Sequence, residues 1–101
     1  MADVKVGLYV HIEAKPGKEE EVADFLRSGL DLVQEEPDTV AWFAVRLSAT
    51  AFAIFDAFPT DSARQTHLNG RLGNALMERA GDLFSQPPSI ERLDVLAHKL
   101  P

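Results

Sequence analysis

The chain has 101 residues, of which 46% are hydrophobic and 26% are charged, and it contains no cysteine. These proportions are typical of a single globular domain over residues 1–101. The absence of cysteine excludes disulfides, thiolate nucleophiles and cysteine-based metal sites. The net charge of −6 repels phosphate backbones and anionic lipid surfaces, so neither nucleic acid nor a membrane is an expected partner.

The first predicted element is a β-strand between Val4 and Ala14, where apolar side chains alternate with other types. Tyr9 and His11 fall on the less apolar face of this strand, where either could reach a ligand cavity or remain exposed. The residues that share the apolar face are Val4, Val6, Leu8, Val10 and Ile12.

A helix is predicted next, in the segment KPGKEEEVADFLRSGLDLVQEEP, and it ends before Pro37. Acidic residues in its first turn complement the helix dipole, and they are interpreted together with Glu35 and Glu36 as a solvated face. The apolar stripe of the helix consists of Val22, Phe25, Leu26, Gly29 and Val33.

Residues 41–59, AWFAVRLSATAFAIFDAFP, predict two strands joined near Ser48. Arg46 and Asp56 are the only charged residues of this hairpin, and a cross-strand ion pair between them is favoured over substrate binding. A buried Arg46 would instead suit an anionic phenolate. Both faces are apolar, so the register stays open: one face carries either Trp42 and Ala44 or Phe43, Val45 and Leu47, with either Phe55 or Phe52, Ile54 and Phe58.

A second helical region follows a cap at Thr60 or Asp61, and Gly70 and Gly73 are expected to divide it into a shorter and a longer helix. If the helix were regular here, His67, Arg71 and Asn74 would form a polar ribbon. The apolar side consists of Leu68, Leu72, Ala75, Leu76 and Leu83. After the loop SQPPS, the segment IERLDVLAHKL predicts the last strand.

The element order is therefore βαββαβ, which predicts an α+β, ferredoxin-like domain with a four-stranded antiparallel sheet and both helices on one face. The other face would be bare and apolar. A second copy of the chain is the simplest cover, which predicts a homodimer through the sheet face, with the helices outside a closed α+β barrel. No signal peptide or spanning segment is recognised, so a cytoplasmic location is expected.

The element order and the stretches KPGKEEEV, EEPDTVAWFAV and FAIFDAFPTDSARQTHL resemble the antibiotic biosynthesis monooxygenase domain, a dimeric α+β barrel. The resemblance spans residues 6–96, and His67 is its most recognisable residue. It implies a cofactor-independent oxygenase that acts on a small hydroxylated aromatic or quinol. The Asn, Trp and His triad of the haem-degrading branch would fall near Val10, His67 and Met77, so haem is not implied.

His67 is the candidate catalytic residue. A neutral imidazole with a pKa near 7 could remove a phenolic proton in a dry pocket between helices and sheet. Trp42 would then form a wall of the pocket, and Arg71 or Arg46 would stabilise the anion. Alternatively, His67 only fixes the strand-to-helix corner by a hydrogen bond.

The candidate substrate-binding set depends on aromatic and polar side chains near that pocket. Phe43 and Phe55 are more typical of plain core, whereas Trp42 has an indole N–H that needs a partner. The set comprises Trp42, Phe43, Phe55, Tyr9, His11, Arg46, Arg71 and Asn74. The alternative function is a non-enzymatic dimeric module that binds a small apolar or aromatic molecule. The histidines form no metal motif, so no metal and no cofactor are expected.

Overall fold

The computed structural model describes residues 3–101. The elements in chain order are β1 (Val6–Glu13), α1 (Glu19–Val33), β2 (Ala41–Arg46), β3 (Ala51–Phe58), α2 (Asp61–Leu68), α3 (Arg71–Leu83) and β4 (Ser89–Asp94). The strands form one antiparallel four-stranded sheet in the order β2-β3-β1-β4. This is the predicted ferredoxin-like α+β fold.

The core lies between the helices and one face of the sheet, which we call the covered face. Alternation along β1 and β3 points the large apolar side chains to this face, where the apolar stripe of α1 packs against them. The buried cluster includes Val10, Ile12, Val22, Leu26, Phe52, Ile54, Leu76 and Leu83. The covered face therefore holds the sheet and helices together, and any polar group on it is removed from water.

The opposite face of the sheet, which we call the open face, is lined along β2 and β3 by side chains that pack against no helix. Cross-strand pairing of Phe43 with Phe55 places both rings on this face, where they are 53% and 36% exposed. Val45 and Leu47 are also exposed there. This arrangement settles the hairpin register: Trp42 and Ala44 face the helices, and Phe43, Val45 and Leu47 do not.

The second helical region is divided as predicted, because α2 ends at Leu68 and α3 begins at Arg71. Thr60 is the cap, since its hydroxyl accepts a hydrogen bond from the Ala63 N–H at 3.1 Å. The break lies at Gly70, whereas Gly73 lies inside α3. The continuous ribbon of His67, Arg71 and Asn74 therefore does not form.

Two further differences concern the ends of elements. β4 spans Ser89–Asp94, so the last strand is shorter than the predicted segment IERLDVLAHKL. Glu35 and Glu36 lie beyond the end of α1, in the turn that leads to β2. Within residues 3–101, no helix has the length and apolar character that crossing a membrane requires.

Candidate functional site

Three ionisable side chains from different elements meet below the corner between α2 and α3. Asp56 points from the middle of β3 to the covered face, and its strand neighbours are Leu8 on β1 and Trp42 on β2. His67 lies in the last turn of α2, where the helix dipole favours a cation. Glu36 reaches the same place from the turn after α1. We call Glu36, His67 and Asp56 the carboxylate–histidine cluster.

His67 has a carboxylate at each ring nitrogen. Its Nδ1 lies 2.5 Å from Glu36 Oε1, and its Nε2 lies 2.9 Å from Asp56 Oδ2. The Thr39 hydroxyl donates to the same Glu36 oxygen at 2.7 Å. The Phe58 ring packs beside the imidazole, with the two ring centroids 5.2 Å apart. The contacts therefore fix both the position and the plane of the His67 ring.

The three side chains of the cluster differ in how far they are buried. The side chains of Asp56 and His67 are 1% and 8% exposed, whereas that of Glu36 is 21% exposed. Asp56 Oδ2 is paired with His67 Nε2 at 2.9 Å. Asp56 Oδ1 accepts no hydrogen bond from residues 3–101. A buried acceptor in that state costs about 1–3 kcal/mol.

Electrostatics favour a protonated imidazole at this position. Burial by itself would lower the pKa of His67, but the contacts and charges of Asp56 and Glu36 outweigh it and raise that pKa above its ordinary 6.5. Burial raises the pKa of Asp56 above its ordinary 3.8, and the contact with His67 offsets this only in part. The expected neutral imidazole is therefore not the form that these contacts favour, because two carboxylates that the sequence does not reveal face the ring.

A cavity of about 370 Å³, which we call the outer cavity, opens beside the cluster on the side of Glu36. Its walls come from the end of α1, the turn before β2, and the corner between α2 and α3. Leu32, Pro37 and Ala63 supply apolar walls, His67 and Glu36 supply the ionisable wall, and Arg71 stands at the rim. Its volume is within the usual range for small-molecule sites.

A second cavity of about 70 Å³, the inner cavity, lies between α3 and the covered face. Aliphatic side chains of β1, β3, β4 and α3 form most of its wall, and Asp56 and His67 supply its ionisable wall. His67 thus lies between the two cavities, with Glu36 on the outer side and Asp56 on the inner side.

The structure brings only part of the predicted set to His67. Arg71 lines the outer cavity, where its guanidinium donates to Glu35 at 2.8 Å. Asn74 is exposed on α3 and lines neither cavity. Trp42 lies on the covered face, packed against the core beside Gly29, and it too lines neither cavity. Its indole N–H is buried and, within residues 3–101, has no acceptor.

Four of the predicted residues lie on the open face. Strand alternation points Tyr9, His11, Phe43 and Phe55 away from the helices, so one chain does not bring them to His67. Their part in substrate binding stays a prediction.

The expected pair of Arg46 and Asp56 is wrong. The register places Arg46 opposite Phe52, and its guanidinium pairs with Glu20 at 3.0 Å. Asp56 lies farther along β3 and contacts His67 instead. The pairing could not be foreseen because the length of the turn between the two strands was not fixed by the sequence.

Sequence reasoning missed Asp56 and Glu36 as members of the site. The signal for Asp56 was a single acid inside the apolar strand AFAIFDAF, a position where an unpaired charge is costly. Glu36 was grouped with a solvated helix face, but the helix ends at Val33 and the turn directs Glu36 inward. No comparable signal marked Glu36.

Within residues 3–101, no group of three or more histidine, aspartate or glutamate side chains has the geometry to hold a metal ion. In the carboxylate–histidine cluster, both nitrogens of His67 face carboxylates rather than a common point. The arrangement is suited to holding and moving protons.

Comparison with known proteins adds the family. No family model matches the sequence, and no curated protein matches it. The solved structure of NE2512, a protein of unknown function from Nitrosomonas europaea, is 49% identical, with a TM-score of 0.95 over 97% of this chain and 95% of that one.

More distant solved structures share the fold. PA3566 from Pseudomonas aeruginosa is 20% identical, with a TM-score of 0.79 over 96% of this chain and 99% of that one. A structure described as antibiotic biosynthesis monooxygenase is 16% identical, with a TM-score of 0.77 over 91% of this chain and 99% of that one. The chain therefore belongs to the same family as NE2512, and it has the fold of antibiotic biosynthesis monooxygenases.

Proposed function

We propose that this chain is a cofactor-independent monooxygenase that oxidises a small hydroxylated aromatic or quinol in the outer cavity. The observation that carries the proposal is the carboxylate–histidine cluster in the wall of a cavity large enough for an aromatic ring. The fold shared with an antibiotic biosynthesis monooxygenase supports the same reaction class.

Glu36 is the proton acceptor in this proposal, and His67 holds the Glu36 carboxylate in position. Glu36 Oε1 is occupied by His67 and Thr39, whereas Oε2 accepts no hydrogen bond from residues 3–101 and lies beside Gly70 at the cavity. With both carboxylates ionised and His67 protonated, the cluster carries one net negative charge and can accept one proton. The substrate hydroxyl would donate to the free Glu36 oxygen.

Deprotonation makes the bound quinol electron-rich, so that it can reduce dioxygen directly. The quinol loses two hydrogen atoms and gains one oxygen atom, and the second oxygen atom leaves as water. The four electrons come from the quinol itself. Arg71, at the rim, would lower the energy of the anion as it forms.

The experiment is oxygen uptake with a panel of small quinols. We expect uptake above autoxidation with at least one of them, and a loss of about a hundredfold or more in kcat/KM for Glu36→Gln. Glu78→Gln, an exposed glutamate of α3 outside both cavities, is the matched control and should retain activity. Unchanged turnover in Glu36→Gln or in His67→Ala would contradict the assignment, as would no uptake with any quinol.

A non-enzymatic binding module is the second candidate, and one observation favours it. Both nitrogens of His67 are already engaged, so the cluster could serve only to fix the corner between α2 and α3. This function predicts saturable binding of phenols without oxygen uptake, and equal binding by wild type and Glu36→Gln.

We also propose that a second copy of the chain covers the open face. Phe43, Val45, Leu47 and Phe55 leave an exposed apolar patch there, which is costly in water. Sedimentation should show a dimer at micromolar concentration, and Phe43→Glu should dissociate it. Leu30→Glu, which changes an exposed leucine of α1, should leave the dimer intact. A monomeric wild-type protein would contradict this proposal.

A further inference from the structure

The inner cavity has no part in the proposed reaction, yet it carries a feature that an apolar packing defect would lack. Asp56 is 1% exposed and lines this cavity; its Oδ2 faces His67 Nε2 at 2.9 Å, whereas its Oδ1 accepts no hydrogen bond from residues 3–101. Buried polar groups are nearly always paired, so an acceptor left open beside a void indicates a missing donor.

We propose that the inner cavity is a binding site for a small uncharged molecule with an O–H or N–H donor at one end and an aliphatic body, such as a short-chain alcohol. The donor end would bond to Asp56. The aliphatic body would contact the side chains of Ile54, Leu72 and Leu76, which line the cavity.

The size of the cavity limits the ligand. At about 70 Å³ it has roughly half the volume of a cavity that holds benzene, so it suits a ligand of about four heavy atoms. A charged ligand is disfavoured, because an anion would face the Asp56 carboxylate and a cation would lose its hydration against aliphatic walls. A neutral donor satisfies both the carboxylate and the walls.

The inner cavity reaches the protein surface on the side of α3 and β4. Met77 and Ile90 both line the cavity, and they are 57% and 44% exposed. The side chain of Met77 is unbranched and has three rotatable bonds, so it can move aside without a shift of the helix. A small molecule can therefore enter there without passing His67 or the outer cavity.

The site is tested with two probes of equal size, 2-propanol and acetone. Both have four heavy atoms, but only 2-propanol can donate a hydrogen bond to Asp56. We expect 2-propanol to produce saturable NMR shifts at the methyl groups of Leu72, Leu76 and Ile90, with a Kd about tenfold or more below that of acetone. Equal binding of the two probes, or no saturable shift at these methyls, would overturn the proposal.

Two variants sharpen the test. Asp56→Leu keeps the approximate size of the side chain and removes the acceptor, so the preference for 2-propanol over acetone should disappear. Ile90→Trp retains Asp56 and fills the cavity, so binding of 2-propanol should be lost even if Asp56→Leu does not fold. Leu30→Trp is the control, because Leu30 is a similarly exposed residue outside the cavity, and it should bind like wild type. Saturable binding by Ile90→Trp at the wild-type Kd would overturn the site.

Discussion

The two faces of one sheet differ in what they hold, although adjacent residues supply both. On β3, Phe55 points to the open face and is 36% exposed, whereas its neighbour Asp56 points to the covered face and is 1% exposed. The apolar Phe55 side chain is thus the more exposed of the two, and the carboxylate of Asp56 is buried. The proposed site on the covered face and the proposed second copy on the open face each account for one of these two positions.

The largest expected change in the free energy of unfolding comes from removing an aromatic ring from the covered face, compared with removing one from the open face. Phe58 is fully buried beside His67, so Phe58→Ala should lower the free energy of unfolding by about 3–5 kcal/mol. Phe55→Ala should have a smaller effect that grows with protein concentration, because its ring would be buried only by a second copy. Urea unfolding at two protein concentrations measures both. A larger, concentration-independent loss for Phe55→Ala would remove the distinction between the faces.

The next effect concerns His67, which lies on α2 and contacts Asp56 of the covered face, and His11, which lies on the open face. His67→Ala leaves Glu36 and Asp56 facing each other without a cation, and should cost about 3 kcal/mol at pH 7. His11→Ala changes a half-exposed residue of the open face and should cost less than about 0.5 kcal/mol. Denaturant unfolding of the two variants gives the comparison. Similar costs for both would mean that the cluster contributes no specific stability.

A smaller effect is the dependence of stability on pH. Because the folded state raises the pKa of His67 above 6.5, its contribution is complete below about pH 6.5 and is lost as the pH rises through the folded pKa. The raised pKa of Asp56 acts in the same direction, starting from its ordinary 3.8.

The stability difference between wild type and His67→Gln should therefore shrink as the pH rises above 6.5. Urea unfolding of the two proteins across a pH series tests this sign. Parallel curves, or a difference that grows with pH, would contradict a protonated His67.

The sequence was sufficient for the fold because the signals for each element are local. Alternation in β1, Pro37 after α1, and Gly70 between α2 and α3 each fix a boundary with the residues nearby. The hairpin was the exception. Both of its faces are apolar, so the pattern could not say whether Phe43 or Trp42 points to the helices, and the substrate-binding predictions that depended on this choice were divided between two faces.

The site could be predicted only in part, for the same reason. His67 was recognisable by resemblance, but its environment depends on long-range contacts. Asp56 reaches it across the covered face, and Glu36 reaches it from a turn whose direction is set by tertiary packing. No local pattern shows that two carboxylates share one imidazole, so the sequence predicted a lone base where the structure places a carboxylate at each ring nitrogen.

The central claim is that His67 is an imidazolium held between Glu36 and Asp56. Nitrogen-15 NMR of the imidazole ring during a pH titration tests it most directly. At pH 7 we expect both ring nitrogens to carry a proton, with titration displaced above the ordinary value of 6.5. A neutral ring at pH 7, with one nitrogen unprotonated and a midpoint at or below 6.5, would contradict the account.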